Sequence, residues 1–443
     1  MHFNRTARGW LAGLVFLAVA SFNFAATWMN GPVWNWLGRG RGPEFYTLLS
    51  DAFLAGQTSL LLKPSAEMLA LPDPYDPLRN GGFRLHDASL YHGKYYLYFG
   101  PTPALVLFMP YRVLTGSHLP ASIAVALFCT GGFAFSCALF FLLVKREQWD
   151  CPRWLTSIAM LSLGTAPGIA FLLVRASFYE VAISAGYCFV MAGFLLTAHS
   201  LLEDSPRTVS LIGAGLCFGL AAGCRPNLAV LAILMALLVG WRTRSYRVRA
   251  LGFVAPILLC GLMLAAYNYA RFQNPFEFGI QYALLGRRTD LDEHFGHLLG
   301  NFPHSIYTLL FCPARLIRGD MVAGTLWLSP IACLGLLTPC LARLRRIGDH
   351  VKLGATRFTI HSLYVSTFST LILLAVMGFI LTRYLVDFAP GFVLLSWCLL
   401  AASWQAVREL PRRRQIVIGA SIISVALYSL VVELAICVPH LSH

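Results

Sequence analysis

The sequence predicts an all-α polytopic membrane protein with about 11 transmembrane helices. Of its 443 residues, 57% are apolar and only 12% are charged, whereas a soluble globular chain carries about 25% charged residues. The apolar residues are gathered in runs of roughly 20, the length at which a helix crosses the ~30 Å hydrocarbon core of a bilayer. This composition excludes a soluble enzyme, a secreted module and a DNA-binding domain.

The apolar runs give the individual spans, with boundaries expected to be good to a few residues. The first run has an apolar core too long for a signal peptide and lacks a clean small-x-small cleavage site, so it is interpreted as an uncleaved anchor. The predicted spans are residues 9–29, 120–144, 154–174, 177–199, 208–224, 226–241, 250–270, 321–342, 359–382, 384–405 and 415–438.

The basic residues predict how these spans are oriented. The chain carries 34 Lys and Arg against 20 Asp and Glu, and more than half of the basic residues fall in short loops on one side. Short loops rich in Lys and Arg stay in the cytoplasm, so the amino terminus is expected inside, in a bacterial cytoplasmic membrane. The clusters on this side are Lys145/Arg146/Arg153, Arg242/Arg244/Arg247/Arg249, Arg343/Arg345/Arg346/Lys352/Arg357 and Arg408/Arg412/Arg413/Arg414.

Two long segments, residues 30–119 and 271–320, are left on the outer side. Because the other loops are short, we expect any soluble chemistry on this outer face of a single integral membrane domain, without a separate soluble domain. In the first segment, apolar residues at helical spacing end at Gly56 and predict an amphipathic helix along the membrane. A later run, broken by a proline and too short to span, predicts an interfacial helix over residues 103–115.

The outer loops hold most of the carboxylates, and two of these are candidates for acid/base chemistry. Glu44 opens the amphipathic helix, where an acid either suits the helix dipole or serves as a general base toward an acceptor hydroxyl. Asp87, flanked by His86 and His92, either caps a turn or joins an acid/base or metal site, a choice that its spacing does not decide. Asp73, in PDPYDP, has the pattern of a turn residue.

Each short outer hinge carries an arginine: Arg175, Arg225 and Arg383, with Glu180 after the first and Asp387 after the last. Charges within spans are costly and usually face a cavity or a partner, although long side chains at helix ends also reach the interface. Three arginines on the same side as the acidic loop suit an anionic group such as a lipid phosphate, which Arg binds through two parallel hydrogen bonds.

Four stretches that contain or adjoin these residues resemble segments of the GT-C superfamily of integral membrane glycosyltransferases. The resemblance is to its protein O-mannosyltransferase and lipid A aminoarabinose transferase branch in particular. PEFYTLLSDAFLAG is similar to the family's first-loop segment, where Glu44 matches the acidic position and Pro43 replaces a preceding acid that many members have. Three further stretches carry the resemblance: KYYLYFGPTPALVLF, FGLAAGCRPNLAVL and LTRYLVDFAPGFVLL. The segment NYARFQNPFEFGIQY also looks like part of bacterial relatives, without an assigned role.

The resemblance implies transfer of a sugar, with inversion, from a polyprenyl-phosphate donor to a glycan, lipid or protein acceptor at the outer face. Glu44, either alone or with Asp87 or Asp51 sharing that work, would deprotonate the acceptor while arginines stabilise the departing lipid phosphate. The resemblance fixes no cofactor, since some relatives use a divalent metal and others do not, and nucleic acid is not an expected partner. The residues expected at the catalytic and donor sites are Glu44, Asp87, Arg225, Arg383, Arg175, Glu180, Lys94 and Tyr384.

Two other functions stay open from the sequence. A transporter or flippase would also need charges within the membrane, but the chain shows none of the internal repeats typical of transporters, and its first outer loop is longer than a pore needs. A polymerase or ligase of lipid-linked glycans shares the outer arginines but places its large loop late in the chain, whereas here the largest loop comes first.

Overall fold

A computed structural model describes residues 3–28, 44–202, 207–285, 291–317, 320–339 and 353–437. Pro43 and the start of the first outer loop lie outside these residues, as do Arg343, Arg345, Arg346 and Lys352 of one predicted cytoplasmic cluster. The helices are α1 (Phe3–Ala26), α2 (Phe45–Leu54), α3 (Ala66–Leu69), α4 (Pro77–Asn80), α5 (Met109–Thr115), α6 (Ala121–Arg146), α7 (Arg153–Gly164), α8 (Ile169–Val174), α9 (Phe178–Leu201), α10 (Thr208–Cys224), α11 (Leu228–Arg242), α12 (Arg247–Phe272), α13 (Leu291–Leu310), α14 (Thr325–Leu328), α15 (Ala332–Leu336), α16 (Leu353–Val376), α17 (Ala389–Arg408) and α18 (Arg412–Ile436).

Six of these helices are long and apolar enough to cross a membrane: α6, α9, α12, α16, α17 and α18. Each overlaps one of the predicted spans, with ends that differ by one to six residues, which confirms an all-α integral membrane protein. Helices α10 and α11 and the apolar part of α1, Trp10–Ala26, are shorter and overlap three more predicted spans. The total of 11 spans stays a prediction.

The span predicted over residues 154–174 is two helices instead of one. Helix α7 ends at Gly164 and α8 begins at Ile169, since Pro167 lacks a backbone donor and Gly168 adopts a left-handed φ of 88°. A buried carboxylate from α18 supports the break, because Glu433 Oε1 accepts a hydrogen bond from the Gly168 amide at 3.3 Å.

The span predicted over residues 321–342 is also wrong as a single helix. Its start belongs to a hairpin in which β3 (Arg315–Ile317) pairs antiparallel with β4 (Asp320–Val322). The short helices α14 and α15 follow, separated at Pro330, which cannot donate to a continuous helical ladder. The last three residues of this span lie outside the described part of the chain.

The two helices predicted in the first outer loop are confirmed. Helix α2 ends two residues before Gly56, and a π-helical turn (Ala104–Phe108) continues as α5. Between them lies a hairpin that the sequence analysis did not predict, in which β1 (Ser89–Tyr91) pairs with β2 (Lys94–Tyr96). Its two turn residues, His92 and Gly93, both have positive φ, as the right-handed twist of a two-residue hairpin favours.

The second outer segment packs on this hairpin. Ser89 donates a hydrogen bond to the Gly279 carbonyl at 2.8 Å and forms a β-bridge with Ala283. At the end of α12, the buried Arg271 donates to the Leu97 carbonyl just after β2. The NYARFQNPFEFGIQY stretch therefore fastens the two outer segments together.

Helix α9 occupies the centre of the bundle, with 83% of its apolar stretch buried. It packs between α6 and α10, and α10 in turn packs on α12. The first residues of α9, the last residues of α10 and a 3₁₀ helix (Thr382–Asp387) meet at one end of the bundle, where most of the predicted site residues lie.

Candidate functional site

Two buried ion pairs lie at this end of the bundle. Arg225 Nη1 donates to Asp387 Oδ2, and Asn227 Nδ2 donates to the same oxygen at 3.1 Å. Arg383 Nη1 donates to Glu180 Oε1 at 3.3 Å. The arginines are only 3% and 7% exposed, so each charge has the partner that burial requires.

Local sequence places these charges. Helix α10 stops at Cys224 and leaves Arg225 extended, with φ −144° and ψ 127°, because the following Pro226 disfavours helical geometry at the residue before it. Arg383 and Asp387 lie four residues apart in the 3₁₀ helix, which ends before Pro390 opens α17. Glu180 occupies the first turn of α9 and accepts a second hydrogen bond from Ser177.

Aromatic rings join the two arginines. The Arg225 guanidinium carbon lies 5.1 Å from the centre of the Tyr384 ring, and that of Arg383 lies 5.5 Å from the same ring and 4.5 Å from Tyr179. Contacts of this length are favourable cation–π interactions. Tyr384, predicted as a ligand residue, therefore contacts both cations.

The first outer loop reaches this cluster through Tyr98, whose hydroxyl donates to that of Tyr179 at 2.6 Å. Burial raises the pKa of Tyr98 well above its usual range, and the nearby Tyr179 hydroxyl and Asp87 carboxylate raise it further. Tyr98 therefore stays protonated as a donor at neutral pH. Sequence reasoning missed Tyr98, Tyr179 and Asn227, although each stands within a few residues of a predicted one.

Close backbone contact fixes the same loop against the end of α10. A Cβ on Gly100 would lie 1.9 Å from the Gly223 carbonyl oxygen, and a Cβ on Gly223 would lie 2.3 Å from Thr102 Oγ1. The Tyr46 hydroxyl adds a hydrogen bond to the Gly100 carbonyl at 3.4 Å. Two stretches that carry the family resemblance, KYYLYFGPTP and FGLAAGCRPN, are thus in direct contact immediately before Arg225.

Glu44 lies at the same end of the bundle. It precedes α2 but does not cap it; its Oε2 instead accepts a hydrogen bond from the Ala121 amide, the first of α6, at 3.1 Å. The adjacent Phe45 ring lies 4.6 Å from Phe178, the first residue of α9. Glu44 is an exposed residue, whereas the arginines are buried.

Asp87 has a left-handed backbone, with φ 66°. Its Oδ2 lies 3.0 Å from His86 Nδ1, and its amide donates to the Leu284 carbonyl at 3.2 Å. The loop that holds Asp87 is therefore fixed by the second outer segment. Asp87 lies close enough to Tyr98 to influence its titration.

The remaining predicted ligand residues are more peripheral. Arg175 is exposed after α8, with its guanidinium 5.8 Å from the Phe171 ring. Lys94 is exposed at the start of β2, opposite Tyr91. Asp73 and Asp76 accept hydrogen bonds from backbone amides two residues on, the geometry of turn residues.

The described residues include no cluster of three His, Cys, Asp or Glu side chains that would hold a metal ion. Both buried carboxylates of the cluster already pair with arginine. One acceptor is left over, because Asp387 Oδ1 is buried and makes no hydrogen bond with any described residue.

The fold is similar to that of solved membrane glycosyltransferases. The Archaeoglobus fulgidus oligosaccharyltransferase tethered with an acceptor peptide aligns with a TM-score of 0.56 and 13% identity, over 97% of this chain and 56% of that chain. The same archaeal enzyme, AglB, in complex with an inhibitory peptide and a dolichol-phosphate aligns with a TM-score of 0.50 and 12% identity, over 97% and 56%. ArnT from Cupriavidus metallidurans, bound to undecaprenyl phosphate, aligns with a TM-score of 0.51 and 14% identity, over 99% and 77%.

These likenesses confirm the GT-C-like fold that the sequence resemblance implied. The chain spans little more than half the length of the archaeal enzyme. No family model and no curated protein matches the sequence.

Proposed function

We propose that this chain is a membrane glycosyltransferase that moves a sugar from a polyprenyl-phosphate donor to an acceptor at the outer face. The observation that carries the proposal is the pair of buried, aromatic-stacked arginines, Arg225 and Arg383, beside the acidic first loop. Solved proteins of the same fold were captured with dolichol-phosphate or undecaprenyl phosphate. Both lipids carry a phosphate, a group that guanidinium groups bind well.

The proposed reaction is a single displacement. The acceptor oxygen attacks the anomeric carbon as the bond from that carbon to the phosphate oxygen breaks, and the lipid phosphate leaves with the bonding electrons. Glu44 takes the acceptor proton. Because there is only one displacement, the configuration at the anomeric carbon is inverted. Phosphate is a good leaving group, so the step needs no acid.

The ion pairs prepare the arginines for the leaving phosphate. A guanidinium has five N–H donors, and the pair with Asp387 uses one from Arg225. Because Asp387 and Tyr384 hold that group in place beforehand, it does not have to reorganise as negative charge develops. The basic clusters on the opposite side favour an outer, periplasmic location for this end of one integral membrane domain.

Thermal stabilisation of the purified protein by polyprenyl-phosphates and polyprenyl-phosphate sugars tests the donor. Binding to the native state raises the melting temperature by mass action, so we expect saturable stabilisation by the lipid phosphate and a further dependence on the sugar. A polyprenyl alcohol, which lacks the phosphate, is the matched control. An absence of response across the panel would contradict the donor assignment and favour a transporter.

A further inference from the structure

A second cationic site lies at the end of the bundle opposite the candidate active site. Helix α11 starts next to Asn227 and runs for 15 residues to Arg242, a length of about 22 Å at 1.5 Å per residue. Helix α16 packs antiparallel to it, with Ser366 hydrogen-bonded to Met235. A cavity of ≈ 520 Å³ opens where α11 ends and α16 begins.

Basic and aromatic side chains line this cavity: Trp241, Arg242, Arg244, Arg357, Phe358 and His361. The Arg244 guanidinium lies 5.3 Å from the Trp241 ring, and His361 Nδ1 bonds to the Arg357 carbonyl at 2.7 Å. No carboxylate of the described residues pairs with Arg242, Arg244 or Arg357. Arg408, also in a predicted cytoplasmic cluster, does pair with an acid, Asp150.

An apolar surface continues from the cavity along both helices. On α11 the exposed side chains above Trp241 are Leu237, Ile233 and Val230, spaced three or four residues apart on one face. On α16 the face of His361 continues with Val365 and Phe368, which are also exposed. From Trp241 to Val230 this surface extends about 16 Å, roughly half the ~30 Å hydrocarbon thickness.

We propose that this is a binding site for an anionic glycerophospholipid of the leaflet opposite the candidate active site. The phosphate and its polar substituent would occupy the cationic cavity, and an acyl chain would lie along α11 and α16. Basic pockets between transmembrane helices suit such head groups, and the cavity has room for a group larger than a lone phosphate. The positive-inside rule explains why the residues of this cavity are positively charged. It does not explain why they line a cavity from which an apolar surface continues.

The test is thermal stability of the purified full chain in detergent with added phosphatidylglycerol, cardiolipin or, as the uncharged control, phosphatidylcholine. We expect a saturable rise in melting temperature with the two anionic lipids alone. Removing a charge-assisted contact weakens binding about tenfold or more. The variant Arg242→Gln/Arg244→Gln/Arg357→Gln should therefore show no rise in melting temperature over the same range of lipid concentrations. If this triple variant does not fold, the single change Arg244→Gln, at an exposed residue, should still raise the lipid concentration needed for half of the rise.

The matched control variant is Arg412→Gln/Arg413→Gln/Arg414→Gln, which removes equal charge from another basic cluster and should respond like the unmodified protein. If this control variant also loses the lipid-dependent rise in melting temperature, the rise depends only on the total positive charge of the protein, and the proposal is overturned. A rise caused equally by inorganic phosphate would mean a soluble-anion site. Polyprenyl phosphate is expected to stabilise the protein through the candidate active site, so its response should persist in the triple variant; loss of that response there would mean that this cavity binds the donor lipid. Either result contradicts the assignment. The readout requires no transfer activity, so it is independent of the proposed function.

Discussion

Glu44 is the residue on which the proposed reaction depends most directly. Glu44→Gln keeps an oxygen that can accept from the Ala121 amide, so we expect the melting temperature to change little. Transfer should fall by about 10²- to 10⁴-fold, because an amide cannot take the acceptor proton. The measurement is the initial rate with a polyprenyl-phosphate sugar; Asp73→Asn, at a turn, should keep its rate, and full activity in Glu44→Gln would remove it as the base.

Substitutions in the Arg225–Asp387 pair distinguish a structural role of Arg225 from a role in donor binding. Arg225→Ala leaves the buried Asp387 carboxylate without its cation, which should lower stability by about 3–5 kcal/mol. Arg225→Ala/Asp387→Ala removes both charges and should recover most of that loss. The Michaelis constant for the lipid donor should stay raised in the double variant; if it returns to normal with stability, Arg225 is structural only.

Single residues were predictable from sequence where a charge stood out against an apolar background. Arg225, Arg383, Glu180 and Asp387 stood out in this way. Their pairing was not predicted, because Arg225 and Asp387 lie 162 residues apart and only tertiary packing brings them together. Tyr98 gave no signal, since a tyrosine in an aromatic run resembles ordinary core.

At the scale of elements, the contact between the first outer loop and α10 should be sensitive to a single methyl group. Gly100→Ala would place a Cβ 1.9 Å from a carbonyl oxygen, so the backbones must separate, at a cost of about 1–3 kcal/mol. Differential scanning fluorimetry should show a lower melting temperature. Gly82→Ala, in the same loop with nothing within 4 Å, is the matched control, and equal melting temperatures would contradict the close contact.

Elements were predictable where an apolar run was unbroken. The span over residues 154–174 failed because Pro167 and Gly168 interrupt the helix within a run that stays apolar on both sides of them. The span over residues 321–342 failed because hairpin pairing of β3 with β4 depends on a partner strand and not on local composition. The hairpin of β1 and β2 is short, and its His-Gly turn is not among the strongest turn signals.

At the scale of the whole molecule, buried and half-buried tyrosines outside the long spans set an alkaline limit to stability. Burial is the main cause that raises the pKa values of Tyr46, Tyr75 and Tyr98. The folded protein thus holds these protons more tightly than the unfolded chain, in which tyrosine has a pKa of about 10. Their contribution to stability is complete below that pH and is lost as the pH rises toward the folded values.

We therefore expect the melting temperature to decline steeply above about pH 10. Tyr98→Phe, which has no proton to lose, should lessen the decline even though it lacks the hydrogen bond to Tyr179. Thermal scans in a buffer series measure this. A melting temperature that stays level through strongly alkaline pH would contradict it.

The hydrogen bond from Arg271 to the Leu97 carbonyl has a consequence for synthesis of the chain. The two residues are 174 positions apart, so when translation reaches β2 the anchor of the first outer loop has not been made. The hairpin therefore lacks this hydrogen bond while the helices from α6 to α12 are made one after another. Nascent chains halted before Arg271 should therefore expose this loop to protease, and chains released after the second outer segment should protect it.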